Sequence, residues 1–119
     1  MKKQTIILSF VFVFISAISF GQKYPIVNKD TVKVWGNCES CKKRIESAAI
    51  NAGAVSAVWN EDSKLLLVTY DGAKTSNHKI QEKIAAAGYD TRDIEASGNA
   101  YDKLPGCCKY ERKPAETKQ

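Results

Sequence analysis

Apolar and polar positions alternate along residues 31–35, a stretch rich in β-forming residues, which predicts a first strand. From about residue 40 to residue 51 the apolar positions recur every three or four residues, which predicts a helix. We expect Ser40 to cap this helix and Gly53 to end it. The pattern after the N-terminal region therefore begins with a strand followed by a helix.

The strand-like alternation and the helix-like spacing of apolar positions both recur further along the chain. Residues 55–60 and 64–70 predict two short strands joined by a polar turn. A second helical pattern runs to about residue 87, and Thr75 or Ser76 is placed to cap it.

Residues 89–96 predict a fourth, weaker strand, so the predicted order is β-α-β-β-α-β over residues 31–96. This order is typical of the split-βαβ, ferredoxin-like arrangement. We therefore predict an α+β fold, a βαββαβ sandwich in which two helices lie on one face of a four-stranded antiparallel sheet.

The N-terminal stretch reads as a targeting segment rather than part of the fold. Two lysines precede a nearly unbroken, uncharged apolar run over residues 6–20. That run is shorter than the ~20 residues needed to span a bilayer comfortably. It predicts a signal peptide over residues 1–21, cleaved between Gly21 and Gln22; the alternative is an uncleaved N-terminal anchor. We expect a periplasmic or secreted protein that meets the membrane only through this signal.

The chain length and the net charge limit the number of domains and the classes of function to be considered. A chain of 119 residues predicts one domain. Without residues 1–21 the net charge falls from +5 to +3, which is too weak to indicate a nucleic-acid partner.

Residues 22–30 form a polar lead-in, and residues 97–119 form a C-terminal extension with a loose polar tail. The sequence shows no phosphate loop or catalytic triad, so we expect a binding protein and not an enzyme.

Cys38 and Cys41 carry the clearest chemical signal. Their Cys-x-x-Cys spacing, between the first strand and the first helical turn, lets both sulfurs converge on one ion. A helix N-terminus stabilises thiolates, and two thiolates suit Cu(I) or Hg(II). Zn(II) usually takes four ligands. The alternative is thiol–disulfide exchange, although the thioredoxin-like Cys-Gly-Pro-Cys sequence is absent here.

Three basic residues, Lys42, Lys43 and Arg44, follow this motif directly. Cations in the first turns of a helix oppose its dipole. We expect them to offset the negative charge of a bis-thiolate Cu(I) centre or to guide docking of an acidic partner. The alternative is a solvated helix face.

The sequence VWGNCESCKKRIE, residues 34–46, resembles the metal loop of heavy-metal-associated (HMA) domains, and residues 80–90 resemble the second helix and Gly-aromatic turn of that family. Such domains occur in copper chaperones, copper-transporting P-type ATPases and periplasmic mercury-binding proteins. The resemblance implies a metal site at Cys38 and Cys41 with Tyr89 packed over the loop. It also implies two partners, the metal ion and a copper-transporting ATPase or another metal-handling protein.

Gly36 and Asn37 mark a departure from that family. The usual sequence is Gly-Met-x-Cys-x-x-Cys, whereas here Gly36 and Asn37 lead directly to Cys38. The loop is one residue shorter and lacks the Met that normally packs beneath it. We expect an altered loop geometry at these two positions.

Cys107 and Cys108 lie outside the resemblance. Neighbouring Cα atoms are about 3.8 Å apart, too close for an ordinary disulfide between them. They are candidate auxiliary ligands for the same ion. The alternatives are a second Cu(I) site, a bridge to Cys38 or Cys41 on oxidation, and incidental thiols. A four-sulfur site would suit Zn(II) or a Cu(I) cluster.

The function predicted from the sequence is an exported Cu(I)-binding metallochaperone or scavenger that works by thiolate ligand exchange. The alternatives are a periplasmic mercury-binding protein, a thiol–disulfide oxidoreductase that uses Cys38 and Cys41, and an adaptor that uses the sheet face. His78, the single histidine, is expected on the surface. Trp35 and Trp59 are expected to serve packing.

Overall fold

The computed structural model describes residues 27–114, so the predicted signal peptide lies outside the described residues. The elements are three strands, three helices and a short 3-10 helix, in the order β1 (Val27–Lys33), α1 (Glu39–Asn51), β2 (Ala54–Trp59), β3 (Leu65–Asp71), α2 (Asn77–Ala86), α3 (Gly98–Asp102) and 3-10 helix (Gly106–Cys108). β1 begins inside the predicted lead-in. Among residues 27–114, no helix is long and apolar enough to cross a membrane.

The sheet is antiparallel and has the strand order β1-β3-β2. Alternation along β3 sends Leu66 and Val68 into the core and leaves Leu65 and Leu67 exposed. The core side is covered by the apolar stripes of α1 and α2, which include Ile45, Ala49, Ile80 and Ile84. Both helices therefore lie on one face of the sheet, as predicted.

The prediction of a fourth strand is wrong for the described residues. Within residues 89–96, only Thr91 makes a β-bridge, and its partner is Val34 beside the end of β1. The chain turns immediately afterwards, because the Thr91 N–H donates to the carbonyl of Ile94 and the Ile94 N–H donates to Thr91 Oγ1. This turn occupies the backbone N–H groups of Thr91 and Ile94, which a longer ladder of strand hydrogen bonds would need. The sheet therefore has three strands, with this segment along its β1 edge.

The helix ends also differ in part from the prediction. Cys38, not Ser40, is the N-cap residue of α1, and it has an extended backbone. The Cys38 carbonyl accepts the first helical hydrogen bond from the Lys42 N–H at 3.0 Å. Ser76 caps α2 as expected, since its side chain accepts from the Lys79 N–H. The metal-binding candidate Cys38 thus forms the start of the first helix.

Residues 97–114, here called the C-terminal arm, fold back onto the domain. Leu104, Cys108 and Tyr110 are buried in the core cluster. The arm approaches closely at Gly88, where a Cβ atom would lie 2.8 Å from the carbonyl oxygen of Ala100. The predicted C-terminal extension therefore packs against the domain through Tyr110, whereas residues 115–119, the end of the predicted loose tail, lie outside the described residues.

Candidate metal centre

The loop before α1 rests on the indole ring of Trp59. A Cβ atom at Gly36 would lie 3.1 Å from two ring carbons of Trp59 and 3.2 Å from Ile45 Cδ1. The ring is fixed by its Nε1–H, which donates to the Val34 carbonyl at 3.0 Å. Trp59 and Ile45 therefore fill the space beneath the loop, where the sequence lacks the methionine that the family resemblance leads one to expect.

Cys38 and Cys41 converge at the end of this loop. Their sulfur atoms are 3.6 Å apart. Cys41 is fully buried, whereas Cys38 is partly exposed. Asn37 helps to orient the pair, because its Oδ1 accepts a hydrogen bond from the Cys41 thiol at 2.9 Å. The loop thus presents one anchored sulfur and one accessible sulfur.

A third sulfur, from Cys108 in the C-terminal arm, completes a cluster with this pair. The sulfur atoms of Cys38, Cys41 and Cys108 all lie within 4.8 Å of one another. Cys108 is buried, while its neighbour Cys107 is exposed. Cys107 contributes its carbonyl, which accepts from the Cys38 thiol at 3.2 Å. Of the two auxiliary ligands predicted, the structure brings the sulfur of Cys108 into the cluster.

Tyr89 lies against the same sulfur atoms. Its side chain is fully buried, and its hydroxyl has no hydrogen-bond partner among the described residues. Burial, followed by the neighbouring thiols of Cys108 and Cys41, raises the pKa of this hydroxyl well above its usual value. The hydroxyl therefore stays protonated and keeps a donor beside the cluster.

The thiols differ in acidity. The backbone N–H groups of Cys41 and Ser40 lower the pKa of Cys38 against the opposing effect of burial. Burial raises the pKa of the Cys108 thiol to about 12, although the Tyr89 hydroxyl works in the other direction. In the metal-free protein Cys38 is thus the more readily ionised of these two, and an ion bound at Cys108 must displace a proton.

The comparisons with known proteins agree with this geometry. The model of the Heavy-metal-associated domain family matches residues 36–90, which include Cys38, Cys41 and Tyr89. A solved structure of a CopZ metallochaperone is 32% identical, with a TM-score of 0.51, over 54% of this chain and 98% of that chain. This chain belongs to the heavy-metal-associated domain family. The resemblance predicted from the sequence is confirmed.

Two further HMA structures show the range of relatives. Oxidized MerP from Ralstonia metallidurans CH34 is 28% identical with a TM-score of 0.52, and the match covers 55% of this chain and 93% of that chain. A copper binding domain from HMA7, a P-type ATPase, is 27% identical with a TM-score of 0.52, over 54% and 89%. No curated protein matches the sequence. The family match ends before the C-terminal arm, so Cys108 is an addition to the HMA core.

The three basic residues of this HMA domain do not act as one group. Lys42 Nζ lies 2.5 Å from Glu46 Oε2 and donates to the Trp59 carbonyl at 3.1 Å, so it fastens α1 to β2. Lys43 and Arg44 are exposed and line a shallow groove between α1 and α2. Only Lys43 and Arg44 therefore remain candidates for the predicted docking role.

Other sequence expectations concern residues away from the sulfurs. His78 is exposed and pairs with Glu82 at 2.8 Å, which confirms its surface position. Trp59 is buried as expected. Sequence reasoning missed Tyr110 and Arg112, which hold the arm against the domain. They are single residues outside any motif, so only their partners in the folded chain reveal their role.

Proposed function

We propose that this protein is an exported carrier or scavenger of a soft metal ion, with Cu(I) as its principal cargo, and not an enzyme. The observation that carries the proposal is the convergence of the Cys38 and Cys41 sulfurs, 3.6 Å apart, at the N-terminus of α1 in an HMA domain. Soft thiolates select Cu(I) over harder ions. The lowered pKa of Cys38 favours its thiolate form.

The set of sulfur donors favours Cu(I) or Hg(II) over Zn(II). Zn(II) in structural sites usually takes four ligands, and the described residues bring three sulfurs together. Cu(I) and Hg(II) are both satisfied by fewer thiolates, so the residues present fit either ion. The similarity to a copper binding domain of HMA7 supports Cu(I), and the similarity to a CopZ metallochaperone supports the carrier role. The family resemblance also includes periplasmic mercury-binding proteins, so Hg(II) is the alternative cargo.

The proposed mechanism is ligand exchange at the accessible sulfur. A first thiolate of a partner protein adds to the bound ion and the bond from the ion to Cys38 breaks; a second partner thiolate then adds and the bond to Cys41 breaks. Only metal–sulfur bonds form and break, so no substrate is turned over. The partner we propose is a copper-transporting ATPase or another metal-handling protein. Lys43 and Arg44, exposed on α1, would face an acidic surface on that partner.

The proposed location is the periplasm or the cell exterior, reached through the signal peptide predicted over residues 1–21. Thiols can be oxidised there. A Cys38–Cys41 disulfide is therefore the competing state. The close approach and the lowered pKa of Cys38 also favour a second candidate function, thiol–disulfide exchange.

An anaerobic Cu(I) titration against a competing chelator tests the proposal. The protein is purified as the cell processes it and is kept reduced. Cys38→Ser/Cys41→Ser should lose more than the ~10–100-fold in affinity that loss of an outer-shell partner costs. Cys107→Ser, which removes one exposed thiol, is the matched control and should leave tight binding intact. Equal affinity in the native protein and the double variant would refute the proposal.

The oxidoreductase candidate makes a different prediction. It requires the metal-free protein to exchange a Cys38–Cys41 disulfide with a small dithiol faster than an ordinary protein disulfide does. A rate no faster than that of a model disulfide, together with tight Cu(I) binding, would leave the carrier as the function.

A further inference from the structure

We infer that Cys108 is a third thiolate ligand to the ion held by Cys38 and Cys41, so that the C-terminal arm converts a two-sulfur HMA loop into a three-sulfur site. This inference rests on the proposed function and deepens it. It concerns a residue outside the part of the chain that matches the HMA family.

The first argument is the position of the sulfur. Cys108 lies 67 residues from Cys41 along the chain, yet the sulfurs of Cys38, Cys41 and Cys108 lie within 4.8 Å of one another. Metal–thiolate bonds measure about 2.3 Å, so three sulfurs around one ion lie about 4 Å apart, and shifts of less than about 1 Å would bring these three onto one ion. The adjacent Cys107 is exposed; its carbonyl accepts from Cys38, and its sulfur lies 3.9 Å from that of Cys108 but outside the three-sulfur cluster.

The second argument is the hydroxyl of Tyr89. It is fully buried beside the thiols of Cys108 and Cys41 and has no hydrogen-bond partner among the described residues. An unpaired buried donor is costly. A thiolate at Cys108 or Cys41 would accept from this hydroxyl and remove that cost. The unpartnered buried donor beside these sulfurs is therefore a second observation, separate from the sulfur spacing, that points to a ligand at this cluster.

The third argument is that the arm is fastened independently of any ion. The Tyr110 hydroxyl donates to the Gly88 carbonyl at 2.7 Å and accepts from the Asp90 N–H at 2.8 Å. The Tyr110 ring stacks on Tyr89, with ring centroids 5.5 Å apart. Arg112 forms two hydrogen bonds with the Asp90 carboxylate, at 2.7 and 3.0 Å.

These contacts place Cys108 before metal arrives. A ligand held in position loses little conformational freedom when the ion binds. The entropic cost of binding is therefore low, and the affinity for the ion is higher. A third bond must also be broken before the ion can leave. The arm therefore shifts this protein from rapid exchange toward retention of its cargo, which suits a scavenger or a store.

The test is X-ray absorption spectroscopy of the protein loaded anaerobically with one equivalent of Cu(I) and no other added ligand. The native protein should show three sulfur neighbours around copper. Cys108→Ala and Cys108→Ser should show two, and Cys107→Ser, the matched control, should keep three. The two replacements at residue 108 differ in polarity, so a folding defect in one does not disable the test.

A second readout does not depend on affinity. Lys103 and Lys109 are exposed in the arm and are sites for trypsin. Cu(I) should slow cleavage at these residues in the native protein, because the ion ties the arm to the loop. In Cys108→Ala the ion still binds Cys38 and Cys41, and its addition should leave the cleavage rate unchanged.

Several outcomes would overturn the inference. Two sulfur neighbours in the native protein would exclude a third ligand, and three in Cys108→Ala would assign that ligand to another residue or a second molecule. Either result leaves the proposed function standing as long as Cys38→Ser/Cys41→Ser abolishes tight Cu(I) binding. Loss of binding in none of the variants would instead refute the proposed function itself.

Discussion

Replacing Tyr110 with phenylalanine isolates the two hydrogen bonds that fasten the C-terminal arm. The substitution keeps the ring and therefore its stacking on Tyr89. It removes a hydroxyl that pairs with the Gly88 carbonyl at 2.7 Å and the Asp90 N–H at 2.8 Å, in a buried setting. Two buried backbone groups lose their partner as a result.

The expected cost follows from those two groups. A buried donor or acceptor left unpaired costs about 1–3 kcal/mol, and we expect a total of about 2–4 kcal/mol because relaxation and water entry recover part of it. For a domain of this size, that corresponds to a fall in Tm of about 10–20 °C. The measurement is reversible thermal unfolding of the reduced, metal-free protein, followed by circular dichroism.

Tyr101→Phe is the matched control. Its hydroxyl also belongs to the arm and donates to the Tyr110 carbonyl at 2.7 Å, but the side chain is only partly buried. It should cost about 0.5–1.5 kcal/mol, the usual net value of one hydrogen bond. If Tyr110→Phe lowers Tm no more than Tyr101→Phe does, the reasoning that these buried hydrogen bonds hold the arm in place is refuted.

Three further predictions concern other parts of the chain. Gly36→Ala should destabilise the domain by about 1–3 kcal/mol, because its Cβ would lie 3.1 Å from an indole ring, whereas Gly98→Ala, with open space around it, should not; urea unfolding of both variants checks this. Burial opposes ionisation of Asp90, but hydrogen bonds from Arg112 and two backbone N–H groups hold its pKa below the ordinary value. Its stabilising contribution is therefore present above the unfolded-state pKa of about 3.9 and lost as pH falls through the folded-state value, and Asp90→Asn should flatten the acid limb of the stability profile. Intact mass spectrometry of the protein recovered from expressing cells should show the loss of residues 1–21, and retention of those residues would contradict the predicted cleavage.

The features that depend on neighbours along the chain could be predicted from the amino-acid sequence. Cys38 and Cys41 are three residues apart where a strand gives way to a helix, so local geometry alone brings their sulfurs together. The periods of two and 3.6 likewise placed three strands and two helices to within a few residues, because each such element buries one face of its own pattern. The family resemblance rests on this same local stretch.

The distant residues that join the site, by contrast, became visible only in the folded chain. Nothing in the sequence distinguishes Cys108 from Cys107, since the choice depends on how the 3-10 helix of the arm is rotated against the domain. The fourth strand failed for a similar reason: a β-forming sequence does not reveal that Thr91 and Ile94 close a turn on each other. Such outcomes depend on contacts between segments far apart in the chain, and local periodicity carries no information about them.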